Sequence, residues 1–332
     1  MTNNINPGQF TILGFEGIIP DKDFLCLIEK YPPAGFLLLE QNYESPEQLT
    51  SLVSDLKKVA GETVLFAVDQ EPGRVQRFKK DFPASEKPSV YIEDGLEDKY
   101  RLWCAHTSSK LAEVGINLNL APVLDIASDP GDNPALTDRI FGDDPGIAAF
   151  YAGILIEEHK KNGILTCGKH FPGLGSARFD PHVELSLSDD PLARFEDYYW
   201  QPFIKAVESG VDMVMTTHLK AASLDPHNAA TYSPKVVGYL RNNVNFAGPV
   251  VSDDLIMGGA RNAVSPGDSA IKAIASGHNL LIISRGVVLQ SEVLDSLKNR
   301  YARDHLFGKI AHQNAEIIRR IQSKTYFSDP RK

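Results

Sequence analysis

One short segment, residues 164–182, combines an apolar strand with side chains that can transfer protons. It has the sequence ILTCGKHFPGLGSARFDPH, and its first four residues predict a buried strand. The polar pair Lys169 and His170 follows, and Asp180 stands two residues before His182 at the end of the segment. A carboxylate close to a histidine orients the imidazole and stabilises its charged form. Such a pair can act as a general acid or base.

The residues between these polar groups predict a turn or a mobile loop. Gly168 interrupts the apolar run and is predicted to end the strand. Pro172, Gly173 and Gly175 do not continue regular structure. We therefore expect a polar pair fixed at a strand end and a second histidine carried on the loop that follows.

The pattern of the whole chain predicts eight strands that alternate with helices. No G-x-G-x-x-G sequence follows an early strand, as an open dinucleotide-binding sheet would require. We predict the α/β fold class, with one (β/α)8 TIM-type barrel formed by residues 1–332 as a single domain. The strands are predicted at 11–18, 34–39, 64–68, 116–123, 164–167, 211–215, 249–251 and 280–283. The helices are predicted near 23–30, 46–60, 97–114, 147–161, 192–208, 234–242, 269–276 and 289–323, the last with a break near residue 303.

Composition narrows the class of protein. The chain has 332 residues, 42% of them hydrophobic, and a net charge of −9, which argues against a general nucleic-acid binder. Cys26, Cys104 and Cys167 are too few and too far apart for a disulfide framework or a zinc site. The N-terminus does not resemble a signal peptide, and no apolar run approaches the ~18 residues of a membrane span. We expect a cytoplasmic monomer without metal, cofactor, nucleic-acid or membrane partner.

Polar residues follow five consecutive predicted strands. A single Asp after a strand is more often a helix cap or a turn residue, and a single His is often structural. In a barrel, however, the carboxyl ends of all strands meet at one face, where active sites lie. Convergence at this face therefore predicts a site, formed by Asp69, Asp125, Lys169 with His170, His218, and Asp253 with Asp254.

The mixture of charges suits a ligand with many hydroxyl groups, such as a sugar. Donors on Lys169, Arg77 and Arg139 would lie beside acceptors on Asp69 and Asp125. A strand-end carboxylate is held rigidly and is a candidate nucleophile. Retaining glycosidases place such a nucleophile about 5–5.5 Å from an acid/base group. Asp253 is the candidate nucleophile, and His182, with Asp180 as its partner, is the candidate acid/base.

Four motifs resemble glycoside hydrolase family 3, specifically its NagZ-type β-N-acetylglucosaminidases (β-N-acetylhexosaminidases). They are DQEPGRVQRF at 69–78, DRIFGDDP at 138–145, KHFPGLGSARFDPH at 169–182 and SDDLIMGGA at 252–260. The resemblance covers nearly the whole chain. It implies a (β/α)8 barrel and retaining hydrolysis of terminal β-linked N-acetylglucosamine through a covalent glycosyl-aspartate. The expected substrates are oligosaccharides or the muropeptides of peptidoglycan recycling.

The resemblance also implies a role for each matching residue. Asp253 corresponds to the nucleophile, His182 to the acid/base and Asp180 to its dyad partner, whereas Asp254 is interpreted as structural. The residues expected to bind the sugar are Asp69, Arg77, Arg139, Lys169 and His170.

Three positions depart from the family pattern. Pro72 stands where the family commonly has glycine, Leu174 replaces a histidine, and Pro181 lies between the two dyad residues. Proline fixes a backbone angle and restricts the residue before it. We expect these changes to affect leaving-group preference and rate more than reaction class.

Three other functions are compatible with the same residues. A phosphorylase would transfer the glycosyl group to phosphate, which a neutral imidazole repels less than a carboxylate does. A non-catalytic sugar-binding barrel would result if the loop changes disabled the dyad. A metal-dependent hydrolase would use His170, His182, His218 and Asp253, although no H-x-H or H-E-x-x-H pair is present.

Overall fold

The computed structural model describes residues 5–127, 133–177, 185–260 and 265–327. Within these ranges the strands are β1 Thr11–Gly14, β2 Gly35–Leu37, β3 Leu65–Val68, β4 Leu118–Asn119, β5 Leu165–Phe171, β6 Ser186–Ser188, β7 Met213–Thr216, β8 Leu219–Ala221, β9 Val250–Ser252 and β10 Leu281–Ile283. The helices are α1 Lys22–Lys30, α2 Pro46–Ala60, α3 Pro88–Glu93, α4 Glu97–Glu113, α5 Pro145–Lys161, α6 Leu192–Arg194, α7 Gln201–Glu208, α8 Pro234–Asn242, α9 Pro266–Ala275, α10 Val287–Arg303 and α11 His305–Phe327.

Eight of the strands form one parallel sheet that curves into a ring. Their order is β10, β1, β2, β3, β4, β5, β7 and β9, and each strand is parallel to the next. A parallel bridge between Val251 and Leu280 joins β9 to the start of β10. Helices connect successive strands of the ring. The predicted (β/α)8 barrel is confirmed.

Side chains complete the joint between β9 and β10. The Val250 amide donates to Asn279 Oδ1 at 2.8 Å, and the Ser284 amide donates to Asp254 Oδ1 at 3.1 Å. These side-chain oxygens take positions that a regular ladder would give to backbone carbonyls. Closure of the ring therefore depends on particular side chains as well as on backbone pairing.

The helices form as their sequences dictate and cover the outside of the ring. In α2, Ser45 Oγ accepts the Gln48 amide at 3.2 Å, and proline occupies the first turn. Its buried residues recur at helical spacing and pack on the barrel: Leu49, Leu52, Val53 and Leu56.

The prediction that the fifth strand ends at Gly168 is wrong. Strand β5 continues to Phe171, whose carbonyl accepts the Thr217 amide at 3.0 Å. A Cβ at Gly168 would lie 2.6 Å from Leu124 Cδ1, so the glycine permits close packing and does not break the strand. The two polar residues after it, Lys169 and His170, consequently lie within the strand, at the point where its register with β7 shifts.

Other differences are local. Strands β6 and β8 pair with each other outside the ring, and α3 lies where no helix is predicted. The helix predicted over 192–208 is divided by a π-helical turn at Phe195–Tyr199. Within the part of the chain that the structure describes, no helix is both long and apolar enough to span a membrane.

Candidate active site

A pocket of about 450 Å³ opens at the carboxyl ends of the barrel strands. Active sites of barrel enzymes lie at this face. The pocket is lined by the five residues predicted to bind the sugar, Asp69, Arg77, Arg139, Lys169 and His170, and by the predicted nucleophile Asp253.

A buried network of opposite charges forms one wall of the pocket. Lys169 Nζ lies 2.7 Å from Asp69 Oδ1 and 2.6 Å from Glu71 Oε1. Arg139 makes a bidentate contact with Glu71, with Nε and Nη2 each 2.8 Å from a carboxylate oxygen. Glu71 is completely buried and Lys169 is 2% exposed, so neither charge is solvated by bulk water. Each charge depends on its neighbours for stabilisation.

The network keeps its members ionised. Burial alone would raise the pKa of Glu71, but Arg139 and Lys169 outweigh it and hold that pKa below its usual range. Burial likewise opposes ionisation of Asp69, whose pKa is nevertheless lowered, chiefly by Lys169. The pKa of Lys169 is raised, because the two carboxylates outweigh the effect of burial. The wall therefore presents fixed charges at neutral pH.

The order of residues after β3 explains how these groups come together. Asp69 and Glu71 are two residues apart and contact the same ammonium group. Gln70, between them, accepts the amides of Arg77 and Phe78 at 3.0 and 3.1 Å, and so folds the chain back. This return brings Arg77 Nη2 to 3.5 Å from Asp69 Oδ2.

Glu71 is a site residue that the sequence analysis missed, as are the pocket-lining Arg74 and Arg285. The two-residue spacing from Asp69 at a strand end is a signal that could have identified Glu71. Nothing in the sequence alone indicated that its partners would be Arg139 and Lys169.

His170 is held by Asp125, which follows β4. The two residues are joined by a contact of 2.6 Å between His170 Nδ1 and Asp125 Oδ2. The backbone amide of His170 donates to the same oxygen at 3.1 Å. Asp125 is 1% exposed, and only the histidine of this pair lines the pocket.

Asp253 stands directly after β9 and faces the pocket. Its amide donates to the carbonyl of Thr216 at 3.0 Å, and its Oδ1 accepts the Asp254 amide at 2.8 Å. Among the described residues no cation pairs with the Asp253 carboxylate within ion-pair distance. Asp254 also lines the pocket, and burial raises its pKa to about 6.

Some predicted residues lie elsewhere. Asp180, Pro181 and His182 are outside the described residues. His218 is fully buried behind the pocket, where its Nδ1 contacts Thr231 Oγ1 at 2.8 Å and its Nε2 contacts the Asp254 carbonyl at 3.0 Å. In the described ranges, no three His, Cys, Asp or Glu residues are grouped as they would be around a metal ion.

The loop after β5 begins as a tight turn. Gly173 has a φ of 125°, and residues Leu174–Ser176 form a 3-10 turn. Leu174, which replaces the family histidine, is 1% exposed and packs in an apolar cluster with Val123 and Leu136. It also lines the pocket, so this part of the wall is apolar.

Comparison with known proteins assigns this barrel and its pocket to a family. The glycosyl hydrolase family 3 N-terminal domain matches residues 14–310. The chain belongs to glycosyl hydrolase family 3. The predicted family and the predicted class of enzyme, a glycoside hydrolase, are confirmed.

Sequence relatives of this family 3 chain include two bacterial β-hexosaminidases. The protein from Nitrosomonas eutropha is 31% identical over 298 residues, which cover 85% of this chain and 84% of that protein. The protein from Hydrogenovibrio crunogenus is 32% identical over 272 residues, which cover 80% of this chain and 75% of that protein.

Solved structures resemble the family 3 chain over most of its length. A family 3 β-N-acetylglucosaminidase from Paenibacillus superposes with a TM-score of 0.90 at 26% identity, covering 98% of this chain and 63% of that protein. A β-N-acetylhexosaminidase from Beutenbergia cavernae gives a TM-score of 0.87 at 25% identity, covering 96% of this chain and 97% of that protein. The chain thus spans somewhat under two thirds of the Paenibacillus protein.

Proposed function

We propose that this family 3 chain is a retaining exo-β-N-acetylhexosaminidase that releases terminal β-linked N-acetylglucosamine from oligosaccharides or muropeptides. The observation that carries the proposal is the single pocket lined by Asp253 and by the charged network of Lys169, Asp69 and Arg139. The sequence relatives named β-hexosaminidases support the substrate class.

The charged wall suits the recognition of sugar hydroxyl groups. An ionised carboxylate accepts, and an ammonium or guanidinium donates, stronger hydrogen bonds than neutral groups do. Lys169 and Asp69 are already oriented by each other at 2.7 Å. A sugar that binds here meets donors and acceptors that need little rearrangement, which lowers the entropic cost of binding.

In the proposed first step, a carboxylate oxygen of Asp253 forms a bond to the anomeric carbon. The bond from that carbon to the aglycone oxygen breaks, and the leaving oxygen receives a proton from His182. In the second step His182 takes a proton from water, and the oxygen of that water bonds to the anomeric carbon. Asp253 then leaves with its electron pair. Asp180 orients the imidazole, a role that rests on the resemblance to the family.

Hydrolysis of a chromogenic β-N-acetylglucosaminide tests this proposal. We expect turnover by the wild type and a loss of at least about 10⁴-fold in Asp253→Ala, since removal of a covalent nucleophile can cost up to about 10⁶-fold. Asp55→Ala is a suitable control, because Asp55 is exposed, pairs only with Lys58 among the described residues, and lies outside the pocket. Tight sugar binding by a wild type without turnover would identify a sugar-binding barrel instead.

The charge of the pocket favours one alternative, phosphorolysis. Arg285 lines the pocket beside Ser284 and forms no ion pair with another described residue. The lining cations Arg74, Arg77, Arg139, Lys169 and Arg285 outnumber the lining anions Asp69, Asp253 and Asp254, even when the buried Glu71 behind Arg139 and Lys169 is added. Running the same assay with and without inorganic phosphate separates the two reactions. A sugar 1-phosphate as the main product would show that the enzyme is a phosphorylase and not a hydrolase.

A further inference from the structure

Asp125 connects two parts of the pocket that are distinct in sequence. Its Oδ2 accepts from both the ring Nδ1 and the backbone amide of His170, at 2.6 and 3.1 Å. Its Oδ1 accepts the amide of Leu174 at 2.6 Å. One buried carboxylate therefore holds both a pocket side chain and the first residues of the loop after β5.

The contact with His170 determines which ring nitrogen is available to a ligand. An ionised carboxylate only accepts, so Nδ1 must carry the hydrogen of the 2.6 Å contact. In the neutral imidazole, Nε2 then has the lone pair. Asp125 thus occupies Nδ1 and leaves Nε2 as the ring nitrogen available to a sugar hydroxyl.

The contact with Leu174 fixes the base of the loop. The carbonyl of Leu174 accepts from Asn133 Nδ2 at 3.2 Å, so both backbone polar groups of this residue are held. A Cβ at Gly175 would collide with the carbonyl oxygen of Ile126, which shows how closely the turn lies on the segment after β4. The predicted acid/base residue, His182, follows this turn in the sequence.

We propose that Asp125 is a positioning residue that aligns the sugar-binding histidine and the base of the acid/base loop at the same time. This inference rests on the proposed function. Asp125 does not line the pocket, so it acts through His170 and Leu174 and not by contact with substrate.

The matched control for this inference is Asp225, a second buried carboxylate. Asp225 is 2% exposed and accepts the His227 amide at 2.9 Å and Ser233 Oγ at 2.7 Å. It binds a loop that does not contribute to the pocket. Asp225→Asn therefore removes a comparable buried charge without touching the site.

Steady-state kinetics of the two Asn variants provide the first test. Asparagine offers one oxygen and one NH₂ group, so in Asp125→Asn it cannot accept from both His170 and Leu174. We expect kcat/KM to fall on the order of 10²-fold, the usual effect of a small misplacement of site groups. Asp225→Asn should leave the kcat/KM of the folded enzyme close to the wild-type value, because neither Asp225 nor the residues bonded to it line the pocket. Equal losses in both variants would overturn the inference.

A double-substitution cycle shows whether Asp125 acts through the histidine. We compare Asp125→Asn, His170→Ala and the double variant. If Asp125 positions His170, the double variant loses less activity than the product of the two single losses. Losses that multiply would mean that the two residues act independently, which contradicts the inference.

Nitrogen-15 NMR of the histidine rings gives a readout that does not depend on turnover. The His170 signals are identified by their absence in His170→Ala, and we expect a hydrogen on Nδ1 in the wild type. An Nε2–H tautomer would overturn the inference even if no Asp125 variant folds. If the wild type shows the expected hydrogen on Nδ1 but no glycosidase activity, the proposed function fails and the orientation of His170 by Asp125 stands.

Discussion

Replacement of Glu71 by glutamine should destabilise the protein strongly, although the two side chains have nearly the same shape. The substitution leaves Arg139 and Lys169 buried with a neutral group between them, and Asp69 remains as the nearest carboxylate. The effect on folding can be measured without knowing the substrate.

The magnitude follows from the distances. At an effective dielectric constant of 20, the Lys169–Glu71 separation of 2.6 Å corresponds to a gross attraction of about 6 kcal/mol. The cost of removing charges from water offsets much of this value in the intact network. Loss of one partner leaves that cost without compensation, typically about 3–5 kcal/mol. The free energy of unfolding of a typical native protein is only about 5–15 kcal/mol.

Glu157→Gln is the matched control. Glu157 also contacts an arginine and a lysine, Arg101 and Lys161, each at 2.8 Å, but it is 52% exposed on α5. Solvent screens exposed pairs, so they contribute little to stability. The two variants lose the same charge and the same number of ion-pair partners and differ mainly in burial.

Urea unfolding at pH 7 provides the assay, with thermal unfolding as a check. We expect a large decrease in the urea midpoint for Glu71→Gln and a small one for Glu157→Gln. The difference between wild type and Glu71→Gln should narrow as the pH falls below about 4.5. The pKa of Glu71 is lowered in the folded state, so its contribution is complete above the unfolded value and is lost as the pH falls. Similar midpoints for the two variants at pH 7 would refute the argument from burial.

Two further predictions concern residues beside the nucleophile and under the loop. Burial raises the pKa of Asp254 from 3.8 to about 6, so the contribution of this one group should lower stability by up to roughly 3 kcal/mol as the pH rises between these values. In Asp254→Asn, the free energy of unfolding measured as a function of pH should lack this decrease. A pH profile identical to that of the wild type would contradict the raised pKa of Asp254. Gly175→Ala should reduce kcat/KM at least 10-fold, because its Cβ would meet the Ile126 carbonyl. Gly238→Ala should leave kcat/KM unchanged, because a Cβ at residue 238 would have no neighbouring atom within 4 Å.

The barrel could be predicted because its signals are local. Each ring strand is a short apolar run, and helices such as α2 carry a serine cap and proline at the start. The end of β5 could not be predicted, because Gly168 and two polar residues look like a turn in sequence. Contacts with Leu124 and Thr217, which are distant in the chain, keep this stretch in the sheet.

The site residues were predictable to the extent that they follow strands. Asp69, Lys169 and Asp253 were found because the ends of parallel strands converge. Glu71 was missed because its importance comes from the two cations that it neutralises, and their approach depends on the folded chain. His218 follows a strand too, yet its partners draw it behind the pocket.

The joint between β9 and β10 has a consequence for attempts to redesign substrate preference. Asp254 lines the pocket and also accepts the Ser284 amide that helps to close the ring. A library randomised at Asp254 would select for barrel closure as well as for the new substrate, because the Asp254 side chain accepts this amide. Positions such as Met257 and Arg285 line the same pocket without a described role in closure. Randomisation should begin there.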